Sequence, residues 1–276
     1  MAEDVAAYLA KYGLASQRFG RRGEHHEKIT STNDRAHELA RAGALEGTVV
    51  MADCQTAGRG RLGREWNCAP GAGISMSVVL RPNAPANIAS SLTMLGAVAV
   101  AKALERTSNI EAGIKWPNDI VIHGRKLCGI LCESKLVDGR AEYVILGIGV
   151  NVNQKPGEFP PGLVDAATSV RIASGQTGGR WTKRQTLACA ILQQLEREYD
   201  RWVSKGPAPM LASWRKRSAT LGREVTVKGI AGSFTGIAED VDEEGALWVR
   251  TAKGRQRVLA GDVTIGGYGE KSDARE

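Results

Sequence analysis

The sequence predicts an α/β chain, more narrowly α+β: a largely antiparallel mixed sheet flanked by helices, followed by a small β-barrel. Three observations carry this expectation. Helical and strand periodicities interleave as far as Ala219. Between Ile120 and Val150, three strand signals follow one another with turn residues between them and no intervening helix. From Leu221 onward the texture changes to short β runs separated by glycine-containing turns. The chain has 276 residues, enough for about two domains at roughly 150 residues each. The expected division is 1–219 and 220–276.

The N-terminus opens on a short amphipathic helix with Val5, Leu9 and Leu14 on one side, then a polar, basic run over 18–28. Thr30, Ser31, Thr32, Asn33 and Asp34 offer several side-chain N-caps for a helix reaching about Ala42. Residues 48–54 read as a buried strand, 55–73 as a glycine-rich loop and 74–80 as another strand. Ile88, Leu92, Leu95 and Ala99 recur at helical spacing and mark a long buried helix ending near Arg106. Runs at 120–122, 128–137 and 143–150, joined by His123-Gly124-Arg125 and Val137-Asp138-Gly139, predict an antiparallel meander. Residues 156–162 read as loop. Leu187, Ile191, Leu195, Tyr199 and Trp202 share one stripe of a second long helix, and a further helix is expected over 210–217. Short runs at 225–227, 234–238, 247–251 and 257–259 then predict the small barrel.

Apolar residues make up 42% of the chain and charged residues 24%, a soluble globular balance that excludes disordered, collagen-like and disulfide-scaffold classes. The formal charge of +7 suits an anionic partner, but the basic residues are scattered, which marks solubility more than a nucleic-acid footprint. The N-terminus lacks a basic segment followed by an apolar one, and no uninterrupted apolar run approaches ~18 residues. A soluble, cytoplasmic chain with no membrane partner is expected. Cys54, Cys68, Cys128, Cys132 and Cys189 include no Cys-x-x-Cys, and no His stands at ligand spacing. They read as reduced thiols, with Cys54, Cys128 and Cys132 buried in strand-like runs, and no protein metal site is expected. His25, His26, His37 and His123 are isolated and read as surface residues.

Three segments look like chemistry. In the first, Gln55 to Trp66, the residues Gly58, Gly60 and Gly63 satisfy G-x-G-x-x-G after a strand. The dinucleotide reading fails, because turn-rich loop follows where a helix should open, and no Asp or Glu occurs from Trp66 to Leu104. What remains is Arg59, Arg61 and Arg64 on a backbone that three glycines leave open, a pattern suited to carboxylate and phosphate oxygens. The second segment, Lys115-Trp116-Pro117-Asn118-Asp119, is followed across a hairpin turn by Lys126, so two lysines and a carboxylate could share a pocket. The third is Gly147-Ile148-Gly149-Val150-Asn151-Val152-Asn153, a buried strand ending in glycines and asparagines.

Taken together these segments closely resemble the biotin–protein ligase family. The matching stretches are Ser31-Thr32-Asn33, the run from Gln55 to Trp66, Lys115 to Asp119, Arg125 to Leu131, and Gly147 to Asn151, in family order. The resemblance spans about 30–269, and 156–180 carries no motif that aligns. It implies the catalytic fold shared by class II aminoacyl-tRNA synthetases and biotin ligases, followed by an SH3-like barrel. It also implies activation of biotin with MgATP to biotinyl-5′-AMP and pyrophosphate, then transfer of biotin to one lysine of a biotin carboxyl carrier domain. ATP and biotin are then substrates and Mg²⁺ the accompanying ion.

Carried over position by position, the resemblance implies a catalytic set of Lys126, Arg61, Lys115 and Asp119, with Asp119 at the position considered a base for the acceptor lysine. Biotin would meet Ser31, Thr32, Asn33, Gln55, Gly58, Arg59, Gly60, Arg61, Lys126 and Gly129. The nucleotide would meet Arg59, Arg64, Trp66, Lys115, Asn118, Lys126 and Asn151. Family members that double as repressors carry a winged helix-turn-helix ahead of the Ser-Thr-Asn motif. Only thirty residues precede Ser31, so the resemblance implies the monofunctional type with no specific DNA partner. A homodimer is the oligomer it allows.

The residue types suit that chemistry. Attack of a carboxylate on an α-phosphorus brings two anions together, so the protein needs fixed cations rather than a nucleophile of its own. Arg59, Arg61, Lys115 and Lys126 supply them, and Mg²⁺ would clamp the leaving pyrophosphate. A loop that closes over the water-labile mixed anhydride would protect it. Two alternatives stand beside this reading: a lipoate–protein ligase of the same superfamily, and a basic nucleic-acid-binding module. The second lacks the interleaved aromatics that base stacking needs, since aromatic residues are 5% of the chain.

Overall fold

A computed structural model describes residues 2–175, 182–229 and 232–266. The end of the expected second domain, 267–276, lies outside the described residues, as does part of the motif-free stretch, 176–180. Eight strands form the main sheet: β1 (Ala2–Asp4), β2 (Gly23–His26), β3 (Val49–Ala52), β4 (Gly73–Leu80), β5 (Gly113–Lys115), β6 (Asp119–Ile122), β7 (Arg125–Val137) and β8 (Arg140–Asn151). Their order is β1-β2-β3-β4-β8-β7-β6-β5. Only the β2–β3 pair is parallel, so the sheet is mixed and largely antiparallel, as expected. The meander β6-β7-β8 is present in the predicted place.

Alternation along the central strands divides the molecule. On β4, Ile74, Met76, Val78 and Leu80 point to one face, and on β8 Val144, Leu146, Ile148 and Val150 join them. That face is covered by α4 (Leu92–Ser108) and α6 (Arg184–Lys205), which pack on each other, with α7 (Ala208–Arg217) alongside. The opposite face is half covered by α2 (Thr32–Arg41), whose Ala36 and Ala40 lie on Val50, Val79, Tyr143 and Ile145. Ser75, Ser77, Gly147 and Gly149 share that second face, and their small side chains leave a hollow at the N-terminal end of α2.

Two departures concern apolar patterning. The expected helix over 88–106 is preceded by a separate turn of helix, α3 (Ala86–Ala89). Together Ala86–Ser108 is long and apolar enough to cross a membrane, but 72% of its most apolar window is buried inside the protein. Its hydrophobicity serves the core between sheet and helices. Asn109 ends α4 in the left-handed region at φ 51°, a residue type that tolerates this better than most.

Other departures lie where sequence periodicity is too short to read. The basic run contains β2, and edge strands β1 and β5 were also unforeseen. The helix near the N-terminus is α1 (Val5–Ala10), with Val5 and Leu9 buried. His25 is not a surface residue: β2 turns it inward, 6% exposed, stacked on Tyr8 at 3.7 Å and 3.2 Å from Asp53 Oδ1. His26 and His37 are half-buried against Glu24 and Tyr143, and His123 alone of the four is exposed. Cys128 is buried as expected, whereas Cys54 and Cys132 are half-buried. Cys54 lies beyond the end of β3.

The C-terminal strands are β9 (Glu224–Gly229), β10 (Gly232–Val241), β11 (Leu247–Thr251), β12 (Gly254–Val258) and β13 (Asp262–Ile265), ordered β12-β11-β10-β9-β13. All pairings are antiparallel. The small C-terminal β-domain is present as predicted, and among the described residues its edge strands β12 and β13 are not hydrogen-bonded to each other. It is fastened to the main sheet through Trp116, whose backbone N–H donates to Thr220 Oγ1 (2.9 Å) and whose indole N–H donates to the Gly245 carbonyl (2.9 Å). That contact matters for the site, because Trp116 lies within the Lys115–Asp119 motif.

Candidate active site

Two adjoining cavities, each of about 430 Å³, open over the hollow. They share Trp66, Lys115, Asp119, Lys126 and Leu163. The first is bounded by the start of α2, the arginine loop, the small-residue floor and β13. The second is bounded by Asn151, the β6–β7 turn and the segment from Phe159 to Ala167.

The first cavity is built from the N-terminus of α2. Ser31 caps the helix, accepting from the Asp34 backbone N–H at 3.3 Å. Thr32 donates its backbone N–H (2.7 Å) and its hydroxyl (3.0 Å) to Gln55 Oε1. Because a backbone N–H can only donate, the Gln55 oxygen is committed and its NH₂ remains for a ligand acceptor. Beneath them the Ser77 hydroxyl donates to Asn33 Oδ1 (2.6 Å) and lies 2.8 Å from Thr32 Oγ1. Gly147 is required here, since a Cβ on it would collide with Asn33 Oδ1. Ser31, Thr32 and Asn33 are all buried.

The wall between the cavities is cationic. A β-bulge places Lys126 on it: Ile120 faces Cys128 but the next residue, Val121, faces Lys126, leaving Leu127 as the extra residue. This reverses the alternation, so Lys126 shares a face with Gly129 and Leu131. Lys126 Nζ lies 2.7 Å from Asp119 Oδ1. Lys115 lines both cavities, and burial pushes its pKa down, with the Asp119 charge opposing that shift. Asn118 is buried, its amide donating to the Ile130 carbonyl (2.8 Å).

The three loop arginines are each engaged. Arg59 donates to Asp34 Oδ1 (2.6 Å) and Glu133 Oε2 (3.2 Å). Arg61 donates to Asn118 Oδ1 (3.2 Å) and the Gly261 carbonyl (3.2 Å), and burial lowers its pKa. Arg64 pairs with Asp262 at the start of β13. The loop is thereby clasped by α2 and β7, by β6, and by the C-terminal sheet. Arg61, Lys115 and Lys126 converge on one cavity with Gly60, Arg64, Trp66, Asn118 and Gly129. Arg59 lines the same cavity, but its guanidinium is turned to two carboxylates. Gly58 lines neither cavity; it is buried, and its carbonyl accepts from the Trp66 backbone N–H (2.8 Å).

Trp66 lies flat against the glycine floor. A Cβ on Gly149 would run into the indole, and one on Gly129 would come within 3.3 Å of it. Among the described residues its buried Nε1 has no hydrogen-bond partner, and Lys126 Nζ sits 5.9 Å from the ring centroid. Asn151 borders the second cavity, its amide oxygen accepting from Gln154 Nε2 (3.0 Å). Among the described residues no group of three or more His, Cys, Asp or Glu could hold a metal ion. The donor set therefore fits magnesium only as a passenger on phosphate oxygens, not in an all-protein cage.

Several residues of the site were not foreseen. Ser75 and Ser77 form the floor, and the signal was available as small polar residues alternating with Ile74, Met76 and Val78. Asp262 and Thr264 bring the C-terminal sheet into the wall. Glu133 carried no readable signal.

A cationic wall between two small-molecule cavities, closed by an arginine loop on an antiparallel sheet, defines a ligase that joins an acid to a nucleotide. The comparisons with known proteins agree. Residues 26–151 match the model of the biotin/lipoate A/B protein ligase family and residues 220–266 that of the biotin protein ligase C terminal domain. The chain is 39% identical over 256 residues to the bifunctional ligase/repressor BirA of Bacillus subtilis, covering 93% of this chain and 78% of the relative. It is 36% identical over 248 residues to the biotin--[acetyl-CoA-carboxylase] ligase of Paracoccus denitrificans, covering 87% and 99%. The biotin protein ligase of Aquifex aeolicus in complex with biotin and ATP superposes with a TM-score of 0.74 at 29% identity, over 88% of this chain and 97% of that one. The chain belongs to the biotin/lipoate A/B protein ligase family, on its biotin protein ligase branch.

Proposed function

We infer that the chain is an ATP-dependent, AMP-forming biotin–protein ligase. In the first step a biotin carboxylate oxygen attacks the α-phosphorus of ATP, giving biotinyl-5′-AMP and releasing pyrophosphate. In the second the ε-amine of an acceptor lysine attacks the acyl carbon, forming an amide and releasing AMP. The acceptor is a biotin carboxyl carrier domain. The observation that carries this reading is the position of Lys115 and Lys126 on the wall between two cavities, with Arg61 reaching the first of them from the loop.

The biotin head is assigned to the first cavity, where the free Gln55 NH₂ meets an acceptor and the Ser31–Thr32 turn supplies further polar atoms. The nucleotide is assigned to the side of Trp66, Asn118 and Asn151. Lys126, Arg61 and Lys115 hold the carboxylate and α-phosphate together, so that mutual repulsion is met by charges already in place. A magnesium ion would come with ATP rather than be held by a carboxylate cluster among the described residues, and would supply positive charge to the pyrophosphate that leaves. Asp119, on the same wall, is assigned to the acceptor amine, which must lose a proton before it attacks. The loop arginines face carboxylates and carbonyls within the fold, which supports a small-molecule site rather than a DNA-reading surface. The deciding experiment is ATP–pyrophosphate exchange. Exchange triggered by biotin and not by lipoate is expected, and lipoate-dependent exchange would reassign the substrate.

A further inference from the structure

We propose that Glu133 is a positioning residue for this reaction, a half-buried carboxylate link that fixes the first turn of α2 and the arginine loop around the biotin side of the site. The inference rests on the function proposed above. Glu133 lines neither cavity, so it does not act on substrate itself. It stands on β7, and its Oε2 accepts from two donors, with an imidazole nitrogen of α2 close by. Asn33 Nδ2 approaches to 2.6 Å, Arg59 Nη2 to 3.2 Å and His37 Nε2 to 3.6 Å.

The chain of contacts continues inward. The other end of the Asn33 amide accepts from Ser77, Ser77 lies against Thr32, and Thr32 fixes the Gln55 oxygen. Glu133 is thereby connected through three side chains, Asn33, Ser77 and Thr32, to the Gln55 amide whose NH₂ is assigned to biotin. On its other side it holds Arg59, within the loop that borders the cavity. Asn33 and Arg59 both arrive as donors, and an ionised carboxylate is the side chain that can only accept. Without it the buried Asn33 amide loses its acceptor, and Arg59 is left with Asp34 alone, whose side chain is 51% exposed.

The test is biotin-dependent ATP–pyrophosphate exchange together with the lifetime of adenylate on the full-length enzyme. Glu133→Ala and the near-isosteric Glu133→Gln are compared with Glu133→Asp and Asp34→Asn. The alanine and glutamine variants are expected to raise KM for biotin about tenfold or more, with kcat within about threefold, a loss of binding rather than of chemistry. Adenylate release should quicken by a similar factor, Glu133→Asp should recover most of both, and Asp34→Asn should change either by less than about threefold. If Glu133→Ala does not fold, Glu133→Gln decides. The proposal is overturned if Glu133→Gln keeps wild-type biotin KM and adenylate lifetime while the wild type is active, even with a lowered melting temperature. It is also overturned if kcat alone falls. A wild type that shows no biotin-dependent exchange overturns the functional reading instead, and the same assay reveals it first.

Discussion

Lys126 Nζ and Asp119 Oδ1 face each other at 2.7 Å across the β6–β7 pair, on the wall that both cavities share. On the function proposed above, the pair serves both half-reactions. Adenylation needs the lysine charge, and transfer needs a base or an orienting oxygen for the incoming amine. Asp119→Asn should therefore slow single-turnover transfer from preformed adenylate about 10²-fold while changing pyrophosphate exchange by less than about threefold. Equal slowing of both steps would reduce Asp119 to a prop for Lys126.

Arg61 ties the loop to both sheets, through Asn118 and the Gly261 carbonyl. Arg61→Gly removes both clasps and a cation beside the reacting groups. The expected result is weaker biotin binding and adenylate release at least about tenfold faster, measured by trapping free biotinyl-AMP. An adenylate lifetime equal to wild type would remove the loop from its assigned protective role.

Gly149 lets the indole of Trp66 lie on the sheet. Gly149→Ala places a methyl group where the ring now sits, so the ring must move off the floor. KM for ATP should rise about tenfold with the fold intact, since the atoms nearest the added methyl belong to the Trp66 side chain and not to backbone. An unchanged KM for ATP would separate Trp66 from the nucleotide.

Away from the site, Lys102 on α4 pairs with Glu198 on α6 at 2.6 Å, and the Glu198 side chain is 6% exposed. Lys102→Met leaves a buried carboxylate without its counter-charge and should cost about 3–5 kcal/mol in denaturant unfolding. Lys102→Met with Glu198→Leu should recover most of that loss. A double variant as unstable as the single one would mean that packing, not charge, sets the cost.

These relationships differ in how far the sequence disclosed them. The α6 stripe from Leu187 to Trp202 and the meander were legible because their periodicity runs over many residues and the fold obeys it. The strand β2 was not, since Gly23-Glu24-His25-His26 is polar and short, and it becomes a strand only by pairing with β3. The site motifs announced Lys115, Asp119 and Lys126 by residue type. Glu133 was hidden by phase. Counted from Lys126 at the strand period of two, it falls on the opposite face, and only the bulge at Leu127 returns it to the same side. Likewise Asp262 lies 198 residues from Arg64, and no local pattern could join them.

Asp53 ends the strand segment that leads into the arginine loop, and it anchors the loop's base. Arg184 reaches it at 2.6 Å and also approaches the Gly73 carbonyl at 3.5 Å, while the Gly71 backbone N–H donates to the Asp53 carbonyl at 2.9 Å. Both ends of the loop are so held by one cluster. Burial pushes the Asp53 pKa up, but hydrogen bonds from His25 and Arg184 outweigh it and leave it below the ordinary carboxylate value. A depressed folded-state pKa adds stability that is fully present above the unfolded value near ~4 and is lost as pH falls through the folded one. Asp53→Asn cannot titrate, so it should be less stable than wild type at neutral pH by about 1–3 kcal/mol. The gap should narrow below pH ~4 as the wild-type carboxylate takes up its proton. Melting curves of both proteins from neutral to acid pH test this, and a gap that is constant or widens with acid would mean that the Asp53 charge does not hold the loop's base.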